Sequence, residues 1–252
     1  MTNTQFTEIA RFYDDLMRNV PYHLWVEYVE EILERLHRHP KTVLDAACGT
    51  GVVSEMLAEL GYEVTGVDIS PAMVEVAQGK AGRSGGVQYL VQDLASLDIG
   101  RRFDLIISLF DSLNYIIDPN RLRQAIYRIA AHLEPGGVFI FDVNTEYALS
   151  HGFFNQTNLG SSQYPKYVWS SSYDKSTRLC TVTMVFEALD NGERRQFTEI
   201  HYQRGYSVEE LHEILDKAEL AVVDVFQAYS FSPPRRRSDR LFFVARKPGG
   251  ED

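Results

Sequence analysis

An α/β fold is predicted, doubly wound around a mostly parallel seven-stranded sheet with helices on both faces and carrying one inserted antiparallel β meander. Three observations predict it. Strand and helix patterns alternate from Val43 to Val143, the signature of parallel strands joined by helical crossovers. The fourth strand of that stretch, "FDLIISLF", is apolar almost throughout, as a strand covered on both faces should be. After Asn144 three longer strands follow one another through tight turns, and then a helix and two final strands return.

The elements follow in order. The N-terminal segment reads as two helices. In the second, Trp25, Val29, Ile32 and Leu36 fall on one stripe, with Pro21 placed to start it and Pro40 to stop it. "TVLDAA" is a buried strand, "VVSEMLAELG" a helix ended by Gly61, and "YEVTGVD" a second strand. "SPAMVEVAQGK" is a helix capped by Ser70 with Pro71 at its first position. "GVQYLVQD" and "FDLIISLF" are the third and fourth strands. "PNRLRQAIYRIAAHLEPGG" is a helix with Leu122, Ile126, Ile129 and Leu133 on one face, and "GVFIFDV" is the fifth strand. The meander comprises "KYVWSSSYD", "RLCTVTMVFEALD" and "RRQFTEIHYQRGY", with Asp190-Asn191-Gly192 as a hairpin turn. Ser207 and Glu210 form a capping box before the last helix, and strands near "AVVDVFQAYSF" and "RLFFVARK" close the chain. The tail "PGGED" is expected to fray. The expected organisation is a helical cover over 1–40, a core over 41–145 and 207–248, and an inserted lid, substrate or dimer region over 146–206.

Composition narrows the function. The formal net charge of -10 argues against extended contact with phosphates, so nucleic acid is disfavoured as a partner. The local exception, Arg235, Arg236, Arg237 and Arg240 in "SPPRRRSDR", reads as a solvated loop or as an anion-steering patch. Two cysteines far apart in sequence form neither a disulfide framework nor a zinc quartet and suit a reducing cytoplasm. No metal site is expected, since no His/Cys cluster has ligand spacing. No membrane partner is expected either, because no apolar run is long enough to span a bilayer and "MTNTQFTEIARFYDD" lacks the pattern of a signal peptide.

The stretch "VLDAACGTGVVSEML" points to chemistry. Gly49-Thr50-Gly51 lies between a strand and a helix, where glycine lets the backbone approach a ligand at the carboxyl edge of a parallel sheet. Asp45 precedes it, Asp68 closes the second strand and Asp93 closes the third, so three acids face one edge. An acid at Asp68 suits the ribose hydroxyls of an adenosine. A nicotinamide dinucleotide fits poorly: Ser54 stands where its third glycine belongs, and Asp45 would repel a pyrophosphate. S-adenosylmethionine, a cationic adenosine without phosphate, fits better. A nicotinamide-dependent oxidoreductase and a non-catalytic S-adenosylmethionine-binding protein are the competing readings.

"VLDAACGTG", "GYEVTGVDIS", "VQYLVQDLASL", "FDLIISLFDSLNYI" and "LEPGGVFIFDV" resemble, in order, the motifs of class I S-adenosylmethionine-dependent methyltransferases, whose fold is Rossmann-like. The resemblance implies that Asp45, Gly49 and Gly51, with Ala47, hold the methionine moiety and that Asp68 holds the ribose. It implies further that Asp93 and the Leu94 amide meet the adenine, that Ile69 and Met73 join the cofactor-binding set, and that Leu109, Phe110 and Asp111 lie beside cofactor and acceptor. "FYDDLM" and "PYHLW" resemble the N-terminal segment of glycine and aminosugar N-methyltransferases, which implies that Tyr13, Tyr22 and Trp25 cover the cofactor. Cys48 reads as a packing residue within this motif.

The implied reaction is methyl transfer to a small-molecule acceptor at nitrogen or oxygen, leaving S-adenosylhomocysteine. Such a displacement depends chiefly on alignment and exclusion of water. Asp111, Tyr115 and His201 are the candidate catalytic residues, with Glu199 a further candidate base. Glu199 and His201 are two apart in a strand and share a face. Tyr167, Trp169, Tyr173, Phe186, Phe197 and Tyr202 of the insertion are candidates to wall an acceptor pocket, to pack it on the sheet, or to form a homodimer interface. Base-modifying methyltransferases often carry Asn/Asp-Pro-Pro-aromatic after the fourth strand. "LFDSLNY" has no Pro-Pro, which with the acidic charge lowers the nucleic-acid reading; a methyltransferase acting on RNA or protein is the alternative to one acting on a metabolite.

Overall fold

The computed structural model describes residues 5–81 and 86–249; residues 1–4 of the expected cover and the last three residues of the tail expected to fray lie outside them. Seven strands form the main sheet: β1 (Thr42–Ala46), β2 (Glu63–Asp68), β3 (Gln88–Val91), β4 (Phe103–Ser108), β5 (Leu133–Asn144), β10 (Ala221–Gln227) and β11 (Arg240–Arg246), in the order β10-β11-β5-β4-β1-β2-β3. All neighbours are parallel except β11, which runs antiparallel to both β5 and β10.

Alternation along each strand feeds two cores. Phe139, Phe141 and Val143 of β5, with Leu241, Phe243 and Ala245 of β11, pack against α5 (Pro119–Ala131) and α7 (Val208–Lys217). Val138, Ile140, Phe242 and Val244 point the other way, toward α2 (Tyr22–Arg35), α3 (Val52–Glu59) and α4 (Pro71–Gln78). Leu133, expected on the α5 stripe, instead opens β5, because the helix ends at Ala131. The expected caps are in place: Ser70 accepts from the Met73 amide at 3.3 Å, and Ser207 and Glu210 make a reciprocal capping box.

The insertion is a second, antiparallel sheet of β6 (Gln156–Thr157), β7 (Lys166–Asp174), β8 (Leu179–Asp190) and β9 (Glu193–Arg204). Asn191 and Gly192 both have positive φ, the geometry of a two-residue hairpin turn. The short edge strand β6 is new; two residues leave too little pattern to read. One face of this sheet is apolar. Cys180, Val182, Met184, Phe186 and Ala188 alternate along β8 and, with Phe197, pack on Ile9, Phe12, Tyr13 and Leu16.

The first expected helix is much shorter than a helix of ordinary length. It consists of a 3-10 turn at Ala10–Phe12 and one α turn, α1 (Tyr13–Leu16). The preceding amides, Phe6 to Ile9, donate instead to the Glu199 carboxylate of β9. A one-turn helix, α6 (Glu146–Ser150), leads from β5 into the insertion.

Candidate active site

The turn after β1 is built on positive φ. Ala47, Gly49 and Gly51 take φ values of 75°, 56° and 81°, which brings the chain sharply round into α3. The amides of Ala47 and Cys48 donate to the Val67 carbonyl at 2.8 and 2.9 Å, fixing the turn to β2. A side chain at Gly49 would meet nothing within 4 Å, so its backbone fronts open space. At Gly51 a Cβ would fall 2.7 Å from Tyr89 Cζ. Gly51 is thus glycine for packing, and it does not line the cavity described next.

A cavity of about 450 Å³ opens at this turn. It runs along the carboxyl ends of the parallel strands, under the N-terminal segment, to the inner face of the second sheet. Asp45, Ala47, Gly49, Asp68, Ile69, Met73, Asp93, Leu94, Leu109, Phe110, Asp111, Tyr115, His201, Tyr13 and Tyr22 all line it. Trp25 does not. It lies behind the wall, stacked on Phe110 at 3.8 Å and 7°, because it belongs to the buried stripe of α2.

The three acids have different surroundings. Asp45 is 3% exposed and accepts from Ser54 Oγ at 2.6 Å. Burial pushes it up to about 7; the Ser54 hydrogen bond opposes this and the Asp68 charge adds to it. Asp68 accepts from the amides of Gly49 at 2.9 Å and Ser70 at 2.8 Å, yet burial still raises it. Asp93 accepts from the Ala95 amide at 3.0 Å and pairs with Arg121. Burial holds the Cys48 thiol well above its ordinary range, which keeps it protonated and removes it as a nucleophile.

The turn after β4 is also strained. Phe110 and Asp111 take φ values of 62° and 50°. A buried ion network holds it. Asp142 accepts the Asp111 amide at 2.9 Å, and Arg240 bridges the Asp142 carboxylate and Asp111 Oδ1, the latter at 2.6 Å. Gln203 donates to Asp111 Oδ2 at 2.7 Å. Burial raises both acids, Asp142 to about 6, against the opposing pull of Arg240.

Arg240 therefore leaves the group in which the sequence placed it. Arg235, Arg236 and Arg237 lie exposed on the loop, whereas Arg240 is the first residue of β11 and points inward, its guanidinium 5.2 Å from the Trp25 ring. Asp142 and Gln203 were likewise missed. Both left a signal: Asp142 is a lone acid in an apolar strand and so needs a partner, and Gln203 continues the period-two face of Glu199 and His201.

On that face His201 Nε2 lies 2.8 Å from Glu199 Oε2, and Nδ1 lies 3.4 Å from the Tyr115 hydroxyl. Burial, aided by the charge of Asp111, raises Tyr115 far above its ordinary value, so it stays a neutral phenol. Glu199 does not line the cavity; its carboxylate is occupied by His201 and by the amides of the N-terminal segment. Of the insertion aromatics, Trp169 and Phe186 line the cavity with Met184. Tyr167, Tyr173 and Phe197 belong to the packing of the insertion, and Tyr202 faces outward.

The donor set suits S-adenosylmethionine. Carboxylates surround the glycine turn. The two arginines of the lining, Arg121 and Arg240, are already paired with Asp93 and with Asp111 and Asp142, which leaves neither free to meet a pyrophosphate. Among the described residues no group of three or more His, Cys, Asp or Glu is placed to hold a metal ion, and no helix is long and apolar enough to cross a membrane.

Residues 43–137 match the family described as "Methyltransferase domain". A Bacillus subtilis (strain 168) protein named as a methyltransferase, YqeM, is 33% identical over 94% of this chain and 95% of its own length. An S-adenosylmethionine-dependent methyltransferase from Clostridium acetobutylicum ATCC 824 superposes with a TM-score of 0.85 at 30% identity, over 96% of this chain and 98% of that one. CalS10 of Micromonospora echinaspora, an amino pentose methyltransferase solved with S-adenosylmethionine bound, shares the fold with a TM-score of 0.67 at 21% identity, over 98% of this chain and 99% of its own. Glycine turn, strand-end acids, sheet order and relatives agree: the chain belongs to the class I S-adenosylmethionine-dependent methyltransferases, and S-adenosylmethionine is its cofactor.

Proposed function

We propose that the protein methylates a small-molecule acceptor at nitrogen or oxygen, in the cytoplasm. One observation carries the reading. Beyond the strand-end acids the cavity continues into a chamber roofed by the N-terminal segment and by the inner face of the second sheet, with Ile9, Leu16, Trp169, Met184 and Phe186 as its walls. A roofed apolar chamber suits a metabolite better than a nucleic-acid duplex, and the net charge of -10 points the same way. The acceptor class named for CalS10, an amino pentose, is itself a small molecule, in line with this reading. The free cysteines Cys48 and Cys180 are compatible with a reducing compartment.

In this reading Asp68 takes the ribose hydroxyls, Asp93 and the Leu94 amide take the adenine, and Asp45 with the Gly49 turn takes the cationic methionine end. The cofactor supplies an activated methyl group. The acceptor lone pair forms the new bond to the methyl carbon while the carbon–sulfur bond breaks, its electron pair staying on sulfur. The acceptor proton passes to His201 Nδ1. The protein's contribution is alignment, worth up to roughly 7–11 kcal/mol, and exclusion of water by the roof.

The test is transfer of labelled methyl from S-adenosylmethionine into separated fractions of a cell extract. Label in the small-molecule fraction supports the reading; label confined to RNA or protein overturns it.

A further inference from the structure

Glu199 is buried, 4% exposed, in the middle of β9. Its Oε1 accepts from the amides of Thr7, Glu8 and Ile9 at 3.1, 2.9 and 3.1 Å. Its Oε2 accepts from the Phe6 amide at 3.0 Å and lies 2.8 Å from His201 Nε2. Four consecutive main-chain donors and one imidazole thus converge on a single carboxylate.

We infer that Glu199 is a positioning residue that couples closure of the N-terminal segment over the cavity to the placement of the proton on His201. The inference rests on the reading of His201 as the group that receives the acceptor proton. An ionised carboxylate can only accept, so the hydrogen bond to His201 requires the proton on Nε2 and leaves the Nδ1 lone pair bare in the neutral ring. Nδ1 is the nitrogen on the Tyr115 side, where the 3.4 Å contact is long enough for an acceptor group to replace it. Burial alone would raise Glu199, but the hydrogen bonds from His201, Ile9 and Phe6 hold it below its ordinary value. The carboxylate therefore stays charged while the segment is in place.

The same segment forms the roof. The Phe6 and His201 ring centroids lie 4.5 Å apart in an edge-to-face arrangement, and Phe6, Ile9 and Tyr13 line the cavity. Two more ties hold it: Ser70 Oγ donates to the Phe6 carbonyl at 2.8 Å, and Asp14 accepts from Thr50 Oγ1 at 2.5 Å and pairs with Lys80 at 2.6 Å. Lifting the segment takes four of the five hydrogen bonds from Glu199 and uncovers His201 in one movement. One carboxylate thus holds the roof closed and His201 in its working tautomer at once, so the proton His201 receives comes from a bound acceptor rather than from water.

The test is a long-range proton–nitrogen spectrum of the full chain labelled with 15N-histidine, with His201→Asn assigning the resonance, together with amide hydrogen exchange. The expected wild-type ring is neutral, protonated on Nε2 and bare on Nδ1. In Glu199→Gln that pattern is lost and exchange at residues 6–9 rises about tenfold or more, while calorimetric affinity for S-adenosylhomocysteine changes by less than about threefold. A wild-type ring protonated on Nδ1 overturns the inference, and this outcome is readable even if the variant does not fold. Faster exchange with an unchanged His201 pattern also overturns it, leaving Glu199 a structural clamp. Failure of the underlying reading is distinct: turnover unaffected by His201→Ala, with the wild-type spectrum as expected.

Discussion

The main-chain amide of Gly49 donates to the Asp68 carboxylate at 2.9 Å, tying the turn after β1 to the end of β2. Loop and acid, separated by 19 residues, thereby form one surface. Asp68→Ala removes the proposed ribose acceptor and weakens S-adenosylhomocysteine binding about 10- to 100-fold, the worth of hydrogen bonds to a charged group, ~1.5–3 kcal/mol. The protein still folds, with a lower Tm, since the Gly49 and Ser70 amides lose their acceptor. Isothermal calorimetry checks this; equal affinity in the variant would remove Asp68 from the ribose.

The two glycines of the turn are expected to fail differently. Gly51→Ala sets a Cβ against Tyr89 and imposes a left-handed backbone on alanine, so stability falls, by about 2–4 kcal/mol. Gly49→Ala pays only the backbone term, about 1–2 kcal/mol, but places a methyl group toward the cavity and costs cofactor affinity. Urea unfolding and calorimetry on both variants separate the two effects.

Arg240→Met leaves Asp142 and Asp111 buried without their cation. Stability is expected to fall by about 3–5 kcal/mol, read from urea unfolding. Adding Asp142→Asn should recover part of the loss, because the two residues share one network. A loss below about 1 kcal/mol would mean that the strained turn at Phe110 and Asp111 does not depend on Arg240.

Asp45 gives a pH dependence with a definite sign. Its folded value of about 7 lies above the ordinary 3.8, so the folded state holds this proton more tightly than the unfolded chain. Its stabilising contribution to the ligand-free protein is complete below about pH 4 and is lost as pH rises to about 7. A cationic ligand selects the ionised form. S-adenosylmethionine affinity is therefore expected to rise from about pH 5.5 to a plateau above about pH 7, with proton release on binding at the acid end. Asp45→Asn should flatten both curves in calorimetric and thermal titrations.

The parallel core was legible because strand-end acids, apolar strands and capped helices repeat on a short local period. The meander was legible from its alternation and from Asn191-Gly192. What the sequence concealed is long-range. Arg240 stands beside three other arginines in the chain, but strand pairing with Asn144 carries it into the site beside Asp142. Glu199 reads as a candidate base, yet its partners are amides about 190 residues away. Trp25 and Gly51 sit in the right motifs, but packing turns one behind Phe110 and sets the other against Tyr89.

The most direct measurement is a crystal structure with S-adenosylhomocysteine bound. The expected result places the ribose hydroxyls on Asp68, the adenine beside Asp93 and Leu94, and the sulfur facing the chamber of Tyr115 and His201. Adenosine bound away from Asp68, or sulfur turned from that chamber, would contradict both the assigned site and the acceptor chamber under the second sheet.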